Sequence, residues 1–177
     1  KMAKITNLII CLLLFIPYAG ITQQGNLREK VRTVYNSQIG VRELTGKNDG
    51  VQVEKYLKYT NLGKGYPWCA AFVCWSYGQA KVNNPKTAYC PSLFTSKYVI
   101  YKSQVAIKIP TTGDIFGIWF SNLKRIAHTG FIDSWGDKYV VTVEGNTNDA
   151  LSRDGDGVYK KKRLRSQIYS VARYIND

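Results

Sequence analysis

The chain has 177 residues and carries 25 lysines and arginines against 12 acidic residues, a formal net charge of +13. Its 45% hydrophobic and 21% charged composition is that of a globular protein and excludes wholesale disorder, while the length suits one ordinary domain. So large a positive charge implies an anionic partner, whether nucleic acid, membrane surface or acidic cell wall, and does not choose among them.

Residues 1–24 read as an export signal. Lys1 and Lys4 supply positive charge, Leu8 to Ile16 form an unbroken run of nine apolar residues, and Pro17 to Gly20 end it with small or helix-breaking residues. Nine apolar residues are too few to span a bilayer comfortably. Lys1, ahead of Met2, reads as an added residue, and Cys11 lies inside the apolar run after Ile10, out of place for lipid attachment. The processed protein is therefore expected to be secreted or periplasmic, with no stable membrane anchor. Processing would remove two lysines and no acid, leaving 23 basic against 12 acidic residues and a charge of +11. Export disfavours a nucleic-acid partner, and no nucleic-acid recognition motif accompanies the charge.

Residues 25–177 show no repeat and no low-complexity linker, so a single domain is expected. Leu27, Val31, Val34, Tyr35 and Ile39 recur at helical spacing before Gly40, and Val53, Tyr56 and Leu57 mark a shorter helix after the Asn48-Asp49-Gly50 turn. A third helix follows the loop Gly63-Lys64-Gly65-Tyr66-Pro67, with Cys69, Phe72, Val73 and Ser76 on one face. Ser92 is placed to cap a fourth through about Tyr101. After Pro110 the pattern changes to short β-rich runs: Asp114 to Phe120, Ala127 to Ser134, Lys138 to Glu144, Val158 to Arg163 and Tyr169 to Ile175. Helices followed by an antiparallel meander indicate an α+β fold with the helices covering one face of the sheet.

Two residue types in this order can do thiol chemistry. Cys69 falls at the first turn of its helix, where the partial positive charge and unpaired N–H groups of the helix start favour a thiolate and can hold an oxyanion. A small buried hydrophobe is the plainer reading of the same residue. His128 is the only histidine in the chain, and on a strand it shares a face with Gly130 and Ile132. The following strand carries Val140, Thr142, Glu144 and Asn146 on one face, so either Glu144 or Asn146 is available to orient the imidazole. Tyr66, Trp68 and Trp119 are candidates to line a substrate groove. With one histidine and no C-x-x-C, no zinc site is expected. Asp154-Gly155-Asp156-Gly157 lacks the ligand set of a calcium loop and reads as a hairpin turn. No metal and no cofactor are expected.

Gly40-Val41-Arg42-Glu43, Pro67-Trp68-Cys69-Ala70-Ala71-Phe72-Val73, Gly113-Asp114-Ile115, His128-Thr129-Gly130-Phe131 and Val143-Glu144-Gly145-Asn146-Thr147 together resemble the CHAP domains, cysteine- and histidine-dependent amidohydrolases and peptidases. The order Cys, His, Glu, Asn is the family's, and the resemblance covers nearly all of residues 25–177. It implies a papain-like fold, N-terminal helices packed on an antiparallel sheet of five or six strands, with Cys69 as nucleophile, His128 as base and acid, Glu144 as orienter and Asn146 as a polar helper. It further implies a monomeric enzyme that cuts an amide of peptidoglycan, either the N-acetylmuramoyl-L-alanine bond or one in the stem peptide. A non-catalytic wall-binding module and an acyl transferase on the same fold are the rival readings. Cys74 and Cys90 are extra to the motif: they can pair with each other, either can pair with Cys69 and so block it, or both can remain free.

Overall fold

The computed structural model describes residues 19–148 and 155–175, with side chains from Leu27 onward. Most of the expected export signal, residues 1–18, lies outside the described residues, as does Asp154 of the expected turn. Three α-helices come first: α1 (Ala19–Asn36), α2 (Val51–Tyr59) and α3 (Cys69–Gln79). Gly40 at φ 95° turns the chain after α1, and its N–H donates to the Val158 carbonyl, fixing that turn to the far edge of the sheet.

A sheet follows, built from β1 (Val99–Lys102), β2 (Val105–Ala106), β3 (Ile115–Phe120), β4 (Arg125–Trp135), β5 (Tyr139–Thr147), β6 (Gly157–Leu164) and β7 (Ser170–Ala172). The order across it is β2-β1-β7-β3-β4-β5-β6, with antiparallel pairing throughout. The α+β class is therefore observed, with seven strands where five or six were expected.

One of the extra strands, β1, takes the end of an expected helix. The fourth helix expected over Ser92 to Tyr101 does not form; Cys90–Leu93 make a single 3-10 turn and Val99–Lys102 become β1, paired with β7. The local residues explain the difference. Val99, Ile100 and Tyr101 are β-branched or aromatic, and Ser103 and Gln104, both at positive φ, form the two-residue turn that folds β1 onto β2.

Alternation along the strands builds two apolar clusters. Ile115, Phe131, Val143 and Ala172 join the helices on one side, while their neighbours Phe116, Ile132 and Val171 join Tyr101, Val140 and Ile168 on the other. On the helix side Phe131 is the hub, stacked on Tyr35 at 4.7 Å and met edge-on by Phe72 at 5.9 Å and Tyr77 at 5.1 Å. This packing holds α3 against β4 and β5 and so sets where its N-terminus ends. Among the described residues no helix is long and apolar enough to cross a membrane.

Candidate active site

Cys69 is the first residue of α3. Gly65 at φ 95° and Pro67 hold the preceding loop out of helical geometry, and the first intrahelical bond runs from the Phe72 N–H to the Trp68 carbonyl. The helix can start this close to the sheet because Gly145 has no side chain: a Cβ there would sit 2.6 Å from Trp68 and 2.9 Å from Phe72. Asn146 then receives the Trp68 N–H on its Oδ1 at 3.4 Å. Its amide nitrogen donates to Glu43 Oε1 at 3.4 Å and Asn48 Oδ1 at 3.0 Å. Asn146 is thus tied to the loop that launches α3, and the imidazole is left to Glu144.

His128 stands on β4 opposite Ile118, beside a bulge where the β3–β4 register shifts. Its Nε2 lies 2.8 Å from Glu144 Oε2. Gly130 makes room for that contact, since a Cβ on it would meet the Glu144 side chain at 3.0 Å. Glu144 is fully buried, and a buried carboxylate has to be met by donors. Thr142 Oγ1 donates to Oε1 at 2.5 Å, and Arg163 grips both oxygens, Nε on Oε1 and Nη2 on Oε2, each at 2.5 Å. Burial alone would raise the Glu144 pKa; the Arg163 and His128 bonds outweigh it and hold the carboxyl far below the usual range.

With Nε2 taken by Glu144, Nδ1 is the ring nitrogen that remains, and Cys69 and His128 each favour the other's charged form. Burial works against a charged imidazole, but the bonds to Cys69 and Glu144 prevail and raise His128 to about 9. Cys69 moves the opposite way. The Cys90 thiol, 3.5 Å from its sulfur, and then His128 stabilise the thiolate against the cost of burial, so Cys69 titrates well below an ordinary thiol. The arrangement favours a thiolate and an imidazolium at neutral pH.

Open space lies on both sides of this pair. A cavity of about 610 Å³ is lined by Cys69, Cys90, Tyr66, Tyr89, Lys86 and Arg125 among others, and another of about 740 Å³ by His128, Asn146, Trp119, Tyr169 and Arg163 among others; Phe120 borders both. Tyr66 and Trp119, expected in a groove, are 53% and 41% exposed and line these cavities. Trp68 does not. It is fully buried, its ring packs on Tyr56 and its indole N–H donates to Glu43 Oε1 at 2.8 Å, because the start of α3 needs a large side chain against the sheet.

Several site residues escaped sequence reading. Arg163 was hidden in the basic run Lys160 to Arg165, although period-two alternation along β6 separates the inward Lys161 and Arg163 from the outward Lys160 and Lys162. Glu43 and Asn48 gave no chemical signal of their own. For Cys90 the sequence left open whether it or Cys74 neighbours Cys69, and the structure places the Cys90 sulfur 3.5 Å from that of Cys69. All three described cysteines, Cys69, Cys74 and Cys90, are free. Among the described residues no group of three or more His, Cys, Asp or Glu is arranged to hold a metal ion. No protein-family model matches the chain, and no curated protein or solved structure matches it.

Proposed function

We propose that the protein is a secreted, papain-like cysteine hydrolase of CHAP type that cuts an amide bond of bacterial peptidoglycan. The observation that carries this reading is Cys69 at the start of α3 together with His128 held by the buried, arginine-gripped Glu144, Cys69 and His128 each bordering a cavity and each favouring the other's charged form.

In the proposed reaction the Cys69 thiolate attacks the amide carbonyl carbon. The oxyanion is held by N–H groups of the first turn of α3, which precede the first intrahelical bond. As the tetrahedral intermediate collapses, the His128 imidazolium passes its Nδ1 proton to the leaving amine, and an acyl thioester remains on Cys69. Neutral His128 then draws a proton from water, which attacks the thioester; carboxylic acid leaves and the thiolate–imidazolium pair returns. Glu144 keeps the imidazole oriented and stabilises its charge in both halves.

A wall polymer suits the Cys69 side of the site in charge. Lys86 and Arg125 line the Cys69 side, and among the described residues no carboxylate lines that cavity, so this side is electrostatically suited to the acidic groups of stem peptides. The test is incubation of the reduced protein with purified peptidoglycan beside Cys69→Ala, followed by mass spectrometry of soluble fragments. Fragments released only by the intact thiol support hydrolysis and identify the bond. Equal release by both proteins, or none from several wall types, sinks the proposal, and wall binding without products would move the reading to a binding module.

A further inference from the structure

Cys90 has no part in the reaction above, yet its sulfur lies 3.5 Å from that of Cys69 and both residues line the same cavity. Each sulfur is carried at the first residue of a helical segment, Cys69 of α3 and Cys90 of the 3-10 turn ahead of Pro91. The third described thiol is placed differently: Cys74 is fully buried and directs its sulfur to the Thr87 carbonyl at 3.4 Å. We propose that Cys69 and Cys90 form an oxidant-sensitive dithiol, in which a hydroperoxide oxidises the nucleophile and Cys90 captures it as a reversible disulfide.

The chemistry assigns a distinct role to each sulfur. The Cys69 thiolate attacks the terminal peroxide oxygen, the O–O bond breaks, two electrons pass from sulfur to oxygen, and the departing alkoxide or hydroxide takes a proton from solvent, giving Cys69 sulfenic acid and an alcohol or water. Cys90 is held in its protonated form by its bond to Cys69 and by burial, so it does not compete for the oxidant. Once Cys69 is sulfenic acid, the Cys90 sulfur attacks it; an S–S bond forms, and the sulfenic oxygen departs as water with the Cys90 proton. The sulfurs have to close from 3.5 Å to about 2 Å, a movement within reach of side-chain rotation and a small shift of the 3-10 turn. A small dithiol reverses the bond by exchange. The product is blocked against substrate and protected from further oxidation to sulfinic acid. That the bridge silences an enzyme rests on the hydrolase reading; the bridge itself does not.

The experiment treats the full chain with hydrogen peroxide near neutral pH, alkylates the remaining thiols, and maps the peptides by mass spectrometry without reduction. The expected result is a linked peptide pair containing Cys69 and Cys90, lighter by two hydrogens, formed equally in Cys74→Ser and undone by dithiothreitol. Peptidoglycan hydrolysis should be lost and recovered in step with it. In Cys90→Ser the same treatment should carry Cys69 to sulfinic acid, with a loss that dithiothreitol does not reverse. A wild-type protein that yields Cys69 sulfinic acid with no linked pair, or a bridge to Cys74, overturns the proposal, and the wild-type peptide map decides this even if Cys90→Ser does not fold. A protein that forms the bridge but never hydrolyses wall would overturn the hydrolase reading alone.

Discussion

Asp114 and Glu144 are both fully buried carboxylates gripped by arginine, and the fold uses them for different ends. Asp114 is met by Arg173 Nη2 at 2.9 Å, by Arg28 Nη1 at 3.3 Å and by the Thr111 N–H at 2.9 Å, so that its cationic partners are permanent and hold α1, the start of β3 and the C-terminal segment together. Glu144 has one permanent cation, Arg163, and spends part of its second oxygen on His128, whose charge comes and goes. A buried ion pair becomes a working part when one partner can exchange a proton near neutral pH and borders open space.

The largest effects should come from breaking each carboxylate in turn. Asp114→Ala leaves Arg28 and Arg173 facing a vacancy and should cost about 3–5 kcal/mol in denaturant unfolding, with Cys69 reactivity in the folded fraction unchanged. Glu144→Gln keeps the shape of the side chain and removes its charge. It should reduce the rate of wall hydrolysis by roughly 10²–10⁴-fold, the range that acid–base assistance supplies. Equal loss of hydrolysis in the two variants, measured on folded protein, would erase the distinction between them.

That Glu144 and not Asp114 stands beside His128 was legible in part. Period two on β5 put Glu144 on a face with Thr142, and the resemblance named Glu144 as the orienter while giving Asp114 no role; the arginines that hold each carboxylate were not legible. The start of α3 at Cys69 was legible because Gly65 and Pro67 punctuate the chain just before it. β1 was not, since a short run after Ser92 fits a helix or a strand and its partner β7 lies about 70 residues onward, beyond any local pattern. Trp68 was misplaced for a similar reason. An aromatic beside a nucleophile can face the cleft or the core, and the packing against Gly145 that decides it arises only in the folded chain.

A change at Arg163 sharpens the comparison at intermediate scale. Removing this guanidinium by Arg163→Met takes away the first of the bonds that offset burial at Glu144, so the carboxyl should titrate at higher pH. Below that new value Glu144 is neutral and His128 loses its charged partner. The acid limb of kcat/KM against pH should therefore move upward, and Arg163→Lys should move it less. The smallest effects belong to the exposed aromatics: Tyr66→Ala and Trp119→Ala should raise KM for wall fragments with little change in kcat, as expected of residues that line the cleft without touching the reacting atoms.

The most direct measurement of the central claim is the rate of alkylation at Cys69, read by peptide mass spectrometry across pH, in the wild type and in His128→Ala. A free thiol titrates near about 8.5. In the wild type the rate should rise at a pH well below that, as the thiolate forms beside imidazolium, and change again near 9 as His128 loses its proton. In His128→Ala the first midpoint should move upward and the second change should vanish. Identical profiles for the two proteins, both rising at or above the free-thiol value, would contradict a Cys69–His128 ion pair and with it the cysteine hydrolase reading.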